Sequence, residues 1–325
     1  PAVAGALLSS GRSVSLVNLG DGIACLEFHS KLNVIDPEIV AALTEAVQQA
    51  PQRGYRGLVI GNDAPDFSAG ANLAQLLFAA RMRQWKQIEP QIKAFQDANM
   101  TLKYAPIPVV AAPAGRTLGG GCEIVLHSAR ARAHAELYCG LVEVGAGLVP
   151  AGGGCKELLL RYGAEKARSG PFPPARSAFE LIALARVSTS AEEARELRFL
   201  RRDDPITLDR SRLLAGARAD AIALAEGGYT PPSPAMLRLP GEGGQLVLEQ
   251  QIEGFRLAGT ISEHDAIVAG KLARVLCGGD ASPLQPVDEQ HVLDLEREAF
   301  LALCGMPKTQ ARMEALLKTG KPLRN

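Results

Sequence analysis

The chain has 325 residues, of which 47% are hydrophobic and 22% charged, enough for one large domain of roughly 200 residues and a smaller appendage. Lys plus Arg and Asp plus Glu both number 35, and this zero net charge argues against nucleic-acid binding, which usually requires a basic excess. No apolar run approaches the ~20 residues that a membrane span needs.

Strands and helices alternate in the first half of the chain. The hydrophobic pattern predicts strands over 13–19, 22–28, 57–61 and 107–112, and helices over 36–49, over most of 73–103 and from near Gly120. Turn formers fill the loop 62–70. This alternation predicts an α/β domain with crossover connections.

After about residue 160 the pattern becomes mainly helical. A capping box at Ser190–Glu193 predicts one helix start, and the last helix is predicted to run from Pro307 to near Gly320. Another amphipathic helix is predicted around 292–301, and the Pro- and Gly-rich stretch 227–244 is predicted to be a connector. We therefore expect a core over 1–205 and a helical C-terminal extension over 206–325.

The cysteines and the N-terminal residues indicate the cellular compartment in which the protein is expected. The six cysteines are scattered through apolar stretches without a C-x-x-C pair, which predicts buried reduced thiols and favours a cytoplasmic protein. The first residues have no basic region typical of a signal peptide. They also lack Met, so we expect a chain that was trimmed or cut from a longer protein.

Two glycine-rich stretches each lie between a predicted strand and a predicted helix: residues 66–72 and residues 118–123. Glycines there let a ligand approach main-chain N–H groups, and the first N–H groups of a helix suit a developing negative charge. Neither stretch fits a dinucleotide fingerprint or a phosphate loop, and no zinc-protease or serine-hydrolase motif is present. The sequence thus predicts no metal and no nucleotide cofactor.

Three blocks together resemble the crotonase family: Phe67-Ser-Ala-Gly-Ala-Asn-Leu73, Pro108-Val-Val-Ala-Ala-Pro-Ala-Gly-Arg-Thr-Leu-Gly-Gly-Gly-Cys-Glu123 and Glu143-Val-Gly-Ala-Gly-Leu-Val-Pro-Ala-Gly-Gly-Gly154. Their order and spacing match as well as their residues, over roughly 12–205. The resemblance implies a spiral of βαβ turns that binds acyl-CoA thioesters.

The resemblance also implies roles for particular residues. The backbone amides of Ala71 and Gly120 would hold the thioester oxygen, and the adjoining Ala69, Gly70 and Gly119 would contact the substrate. Lys31 would meet the phosphate or adenine part of CoA, unless it is an ordinary solvated lysine. Asn72 stands where many family members have Asp, which bears on substrate preference.

Glu123 and Glu143 match the two glutamates of the family's hydratases. Isomerases and hydrolases of the family usually lack one of them, so the pair favours hydration of a 2-enoyl-CoA in fatty-acid β-oxidation. We expect Glu143 to act as the acid at C2 and Glu123 as the base that positions water, although the two roles could be exchanged.

The C-terminal third resembles the last part of long bacterial 3-hydroxyacyl-CoA dehydrogenases. This implies a dehydrogenase half in the same parent polypeptide, which would use NAD, whereas this chain would need no cofactor beyond the CoA of its substrate. Two alternatives stay open: a Δ3,Δ2-enoyl-CoA isomerase, and a non-catalytic acyl-CoA-binding or assembly module. The family often forms homo-oligomers, so self-association is a further expectation.

Overall fold

The computed structural model describes residues 7–165 and 170–325. Its contacts divide the chain into two compact units. The first unit comprises Pro1–Ala71, Ala94–Gly140 and Val187–Ser233, and the second comprises Asn72–Lys93, Leu141–Arg186 and Pro234–Asn325. These two units are defined by contacts alone. The boundary expected at residue 205, between a crotonase-like core and a helical extension, stays a prediction.

Most strands belong to the first unit. They are β1 (Leu7–Ser10), β2 (Val14–Gly20), β3 (Ile23–Phe28), β4 (Gly57–Ile60), β5 (Val109–Ala111), β6 (Gly115–Leu118), β7 (Arg130–Ala131), β8 (Ala133–His134), β9 (Leu137–Gly140) and β10 (Ile206–Thr207). β1, β2 and β3 are antiparallel neighbours, and β3, β4, β5 and β7 continue the same sheet as parallel neighbours. β6 pairs with β9, and β8 with β10, both in parallel.

Parallel neighbours need crossover connections, and helices supply them. The helices of this unit are α1 (Pro37–Gln49), the C-terminal half of α3 (Trp85–Lys103), α4 (Gly120–His127), α7 (Ala191–Glu196) and α8 (Leu213–Glu226). α1 begins where the Asp36 side chain accepts a hydrogen bond from the Ile39 N–H at 3.0 Å, with Pro37 in the first turn. α1 then leads from β3 to its parallel neighbour β4.

α8 covers part of the parallel sheet. Its residues Leu213, Ala217 and Ala221 recur every four positions and share a buried cluster with Val59 of β4 and Val110 of β5. The small side chains on α8 let the helix lie close to the strands. This packing places α8 in the first unit, within its third segment Val187–Ser233.

The second unit is built mainly from helices: α2 (Leu73–Arg81), the first part of α3, α5 (Gly154–Gly163), α6 (Pro173–Ala183), α9 (Gly241–Leu257), α10 (Glu263–Cys277), α11 (Glu289–Cys304) and α12 (Pro307–Thr319), with the short strands β11 (Met236–Leu237) and β12 (Val287–Asp288). α10 packs against α6, α9 and α11. It begins with a capping box between Ser262 and Asp265 and ends at Gly278 in the left-handed region.

Buried charges join α5 to α11. Glu296 is fully buried, and its carboxylate accepts hydrogen bonds from the N–H groups of Gly153 at 2.7 Å and Lys156 at 2.9 Å, at the start of α5. The buried Lys156 ammonium contacts Glu157 at 2.5 Å and Glu289 at 2.7 Å. Although burial lowers the pKa of Lys156, these two carboxylates outweigh it and raise the pKa overall. A distant helix thus supplies the cap of α5.

Several sequence predictions need correction in detail. The range 73–103, predicted to be mostly helical, is confirmed as helical and forms two helices, with Arg83 in a left-handed conformation (φ 53°) between them. The strand predicted over 107–112 is shorter, at Val109–Ala111. At Ser190 the side chain accepts from the Glu193 N–H, but Glu193 accepts from the Thr189 backbone N–H and hydroxyl, one residue before the expected partner. The stretch 227–244 already contains β11 and the start of α9.

Other expectations hold in the structure. The mixed α/β fold with a helical C-terminal region is observed, and α12 ends at Gly320 in the left-handed region. All six cysteines are buried. Among residues 7–165 and 170–325, no helix is long and apolar enough to cross a membrane.

Candidate active site

The segment that leads to Ala71 is held in an extended path by its neighbours. The Phe67 N–H donates to Ala114 O, the Ser68 N–H to Arg116 O, and the Leu118 N–H to Ser68 O. Gly70 then adopts a left-handed conformation (φ 92°), which favours glycine. This turn brings the chain to Ala71, which is exposed.

Ser68 is buried next to this turn and links it by hydrogen bonds to Asn33. Its hydroxyl donates to Asn33 O at 2.7 Å and accepts from the Gly70 N–H at 3.1 Å, and the side chain is fully buried. Asn33 in turn donates from Nδ2 to Asp66 O at 2.9 Å. These bonds fix the peptide that precedes Ala71.

The second glycine-rich stretch forms the turn between β6 and α4. Gly119 has φ 54° and ψ −123°, a combination that a side chain would strain, and its N–H donates to Gly140 O at 2.9 Å. Gly120 is the first residue of α4. Its N–H therefore has no partner within the helix and lies at the positive end of the helix dipole.

The two glycine turns are packed against each other. A Cβ placed on Gly70 would lie 2.9 Å from Leu118 O and 3.5 Å from the Gly120 nitrogen. A Cβ placed on Gly121 would lie 2.7 Å from the Ser68 Cβ. The backbone next to Ala71 and the first N–H of α4 are thus neighbours, an arrangement that suits two donors to one oxygen atom.

Glu123 lies in the first full turn of α4 and is buried, with 2% of its surface exposed. Its backbone N–H donates to Gly119 O at 3.0 Å, and its carbonyl is 2.7 Å from His127 Nδ1. The preceding Cys122 has its sulfur 3.4 Å from that of Cys139 in β9. A carboxyl group is therefore placed one helical turn from the Gly120 amide.

Lys31 lies beside the same turn but faces solvent. It begins the short 3-10 segment Lys31–Asn33, where Leu32 and Asn33 both have positive φ angles. Leu32 O accepts from the Ala69 N–H at 3.1 Å, and the Ile35 N–H donates to Gly70 O at 2.8 Å. The structure thus brings Lys31 into the same unit as Ala69, Gly70, Gly119 and Glu123, as an exposed residue.

Glu143 is the one predicted site residue that belongs to the second unit. It starts the 3-10 turn Glu143–Ala146 and is half-buried. Its carbonyl accepts from the Leu148 N–H at 3.0 Å, and Gly147 ends the turn in the left-handed region (φ 78°). The carboxylate is thus carried by a tight turn whose backbone path is fixed at both ends.

Comparison with known proteins gives a family match for the first half of the chain. Residues 18–170 match the family model described as enoyl-CoA hydratase/isomerase. Those residues form a domain of the enoyl-CoA hydratase/isomerase family. The match includes every predicted site residue, from Lys31 to Glu143.

Among curated proteins, the whole chain resembles part of larger enzymes. It is 44% identical over 321 residues to a probable 3-hydroxyacyl-CoA dehydrogenase of Bacillus subtilis, covering 98% of this chain and 40% of that protein. It is 27% identical over 289 residues to a putative fatty acid oxidation complex trifunctional enzyme of Rickettsia felis, covering 89% of this chain and 37% of that protein. The chain thus spans about two fifths of the length of these relatives.

Solved structures of the enoyl-CoA hydratase/isomerase type share the fold. An enoyl-CoA hydratase from Bacillus halodurans has a TM-score of 0.64 at 18% identity, covering 94% of this chain and all of that one. A carnitinyl-CoA dehydratase from Mycobacterium thermoresistibile has a TM-score of 0.69 at 13% identity, covering 96% of this chain and 91% of that one. These likenesses establish the crotonase-type fold.

Sequence reasoning missed the supporting residues of this enoyl-CoA hydratase/isomerase domain. Ser68 and Asn33 were given no role in the sequence analysis, although both are buried and bonded to the turn before Ala71. The pair Asp66 and Arg116 was also missed. One signal was available: Asp66 begins the first glycine-rich stretch, and Arg116, of opposite charge, precedes the second by two residues.

Proposed function

We propose that this chain is an enoyl-CoA hydratase that adds water across the 2,3 double bond of a 2-enoyl-CoA thioester. One observation carries the proposal: the Gly70 turn and the first N–H of α4 are neighbours, with the buried Glu123 one turn further along α4. The family assignment of residues 18–170 supports an acyl-CoA substrate.

The proposed reaction requires stabilisation of an enolate. When water adds at C3, negative charge develops on the thioester oxygen, and the amides of Ala71 and Gly120 would donate to it. Preorganised donors of this kind act strongly because they need no reorganisation during the reaction, and loss of one typically costs ~10²–10³ in rate.

Two carboxyl groups would then divide the proton transfers. Glu123 would accept a proton from the attacking water, whose oxygen bonds to C3, and Glu143 would deliver a proton to C2. Exchange of protons with solvent would then deprotonate Glu123 and reprotonate Glu143, so that atoms and charge balance over the cycle. An isomerase would need only one of them as a proton shuttle. On this proposal Ala69, Gly70 and Gly119 contact the substrate, and Lys31 binds the phosphates of CoA.

Hydration of crotonyl-CoA, followed by loss of the enoyl thioester's ultraviolet absorbance, tests the proposal. We expect turnover by the wild-type chain and a fall in kcat of roughly 10² or more in Glu123→Gln and in Glu143→Gln. Gln keeps the size of the side chain, so an unchanged unfolding transition serves as the control for each variant.

Two other results would favour one of the alternative functions instead. Conversion of a 3-enoyl-CoA to its 2-enoyl isomer without hydration of crotonyl-CoA would favour the isomerase. Binding of CoA thioesters without turnover of either substrate would favour the binding module.

A further inference from the structure

Helix α12 presents two buried polar side chains to the turn that carries Glu143. Thr309 is fully buried, and its hydroxyl donates to Gly147 O at 3.0 Å. Arg312, three residues later on the same helix face, has Nη1 3.5 Å from Val144 O. The turn that starts at Glu143 is therefore contacted at two of its carbonyl groups by one helix.

The contact between Thr309 and Gly147 is close enough to need a glycine. Gly147 has φ 78°, and a Cβ placed on it would lie 2.9 Å from the Thr309 hydroxyl oxygen and 3.2 Å from the Arg312 Cδ. The turn thus lies directly on α12. A shift of Thr309 has to move the turn or break the hydrogen bond.

A histidine fixes Thr309 from the other side. His264 is 1% exposed, and its Nε2 lies 2.8 Å from the Thr309 hydroxyl oxygen. A hydroxyl has one hydrogen, and it goes to Gly147 O, so Thr309 accepts from His264, which carries its proton on Nε2. Burial, followed by the charges of Arg312 and Lys308, lowers the pKa of His264, which favours the neutral imidazole.

Arg312 is fixed in the same way. Its guanidinium contacts Asp265 Oδ1 at 2.6 Å and the Ser262 hydroxyl at 3.1 Å, both in the capping box of α10. Its Nε donates to the Asn325 side chain at 2.8 Å. The first turn of α10 and α12 thus form one hydrogen-bonded support behind the 143–147 turn.

We infer that Thr309, held by His264, is a positioning residue for Glu143. This inference rests on the proposed function. Removing the hydroxyl leaves Gly147 O and the His264 N–H buried without their partner, so the 143–147 turn relaxes and the Glu143 carboxyl group moves from its place. A misplacement of about 1 Å can cost ~10²-fold in rate.

The test compares Thr309→Val with a matched control on the same helix, Thr319→Val, because Thr319 is exposed and bonds only locally to Ala315 O and Lys321. In crotonyl-CoA hydration we expect Thr309→Val to lower kcat roughly 10- to 100-fold with KM changed less than about threefold. Thr309→Ser, which restores the hydroxyl, should return most of kcat. Thr319→Val should match the wild type.

Amide hydrogen exchange of a peptide that covers 142–149 supplies a readout independent of activity. We expect faster exchange in Thr309→Val than in the wild type or in Thr319→Val. If Thr309→Val does not fold, Thr309→Cys keeps a weaker donor of similar size and should fall between the wild type and the expected loss.

The outcomes separate the two proposals. Wild-type kcat and unchanged exchange in a folded Thr309 variant overturn the positioning role. Absence of hydration by the wild-type chain overturns the proposed function alone, because the exchange of 142–149 still reports whether Thr309 holds the turn.

Discussion

An ion pair contributes to the path of the loop that leads to Ala71. Asp66 accepts from Arg116 three times, from the backbone N–H at 2.8 Å, from Nε at 3.0 Å and from Nη2 at 2.6 Å. The hydrogen bond from the Arg116 side chain lowers the pKa of Asp66, and the same bond raises the pKa of Arg116. The neighbouring Gly115 has φ 54°, a conformation that favours glycine. The ion pair therefore lies beside a residue whose backbone conformation is itself restricted.

The pKa of Asp66 predicts how stability depends on pH. A carboxyl group whose pKa is lowered by folding stabilises the protein above its unfolded pKa, here near 3.8, and loses that contribution as pH falls through the folded pKa. We expect Asp66→Asn to lower the free energy of unfolding by about 1 kcal/mol at pH 7, since Arg116 is half exposed and screened. In urea unfolding the difference from wild type should shrink below pH 3.8.

The double variant Asp66→Asn/Arg116→Gln provides the control. If the pair acts as a unit, the double variant should lose little more than either single variant. A difference between wild type and Asp66→Asn that stays constant from pH 7 to below 3.8 would show that the ion pair does not stabilise this loop.

Individual site residues differed in how well the sequence predicted them. Glu123 and the glycines are defined by short motifs whose chemistry is local, so their placement on α4 and its preceding turn follows from the sequence. Ser68 and Asn33 act through contacts 35 residues apart, and such pairings leave no local pattern. Glu143 was named from the motif, but its support by Thr309 and Arg312 comes from residues more than 160 positions later.

At the scale of helices, glycines inside α9 and α10 have opposite roles. A Cβ on Gly244 would lie 2.4 Å from the Pro240 Cβ and 3.2 Å from the Cys277 sulfur, whereas Gly254 and Gly270 have nothing within 4 Å. Gly244 therefore permits close packing of α9. The other two glycines only weaken their helices.

This contrast predicts opposite effects of the same substitution. Gly254→Ala and Gly270→Ala should each stabilise the protein by about 0.5–1 kcal/mol, because alanine is the better helix former. Gly244→Ala should destabilise it by about 1–3 kcal/mol, because the added methyl group has no space. Thermal unfolding of the three variants tests this, and a Tm rise in Gly244→Ala would contradict the packing described for α9.

Element types were easier to predict than element boundaries. Periodicity predicted α1 because it buries one face. The turn Gly20-Asp21-Gly22 predicted the β2–β3 hairpin, and Pro307 and Gly320 predicted the ends of α12. The break after α2 was missed because it depends on a left-handed Arg83, a conformation that arginine does not signal. The two-residue strands β11 and β12 were missed because so short a pattern is not distinctive.

At the scale of the whole molecule, the chain is similar to two fifths of its larger relatives. The crotonase-type fold of the enoyl-CoA hydratase/isomerase domain was predictable because three spaced motifs fix it together. The two units, each assembled from three separate segments, were not predictable from local composition. Their boundaries depend on long-range packing such as that of α8 on β4 and β5.

If this chain catalyses only hydration, and a separate dehydrogenase part of the parent polypeptide uses NAD, its behaviour with NAD can be predicted. With crotonyl-CoA and NAD⁺, the purified chain should consume the enoyl thioester without forming NADH, since its sequence has no dinucleotide fingerprint. Addition of a separate 3-hydroxyacyl-CoA dehydrogenase should then produce NADH, which its absorbance would report. NADH formation by the chain alone would contradict this prediction.

The cap that Glu296 provides for α5 has a consequence for folding during synthesis on the ribosome. Its hydrogen bond to the Gly153 N–H joins residues 143 positions apart, and a ribosome adding about 5–20 residues per second needs roughly 7–30 s to make that stretch. During this interval the glycine-rich start of α5 lacks the carboxylate that will cover it. The nascent chain therefore offers this segment to chaperones and proteases well before α11 emerges to protect it.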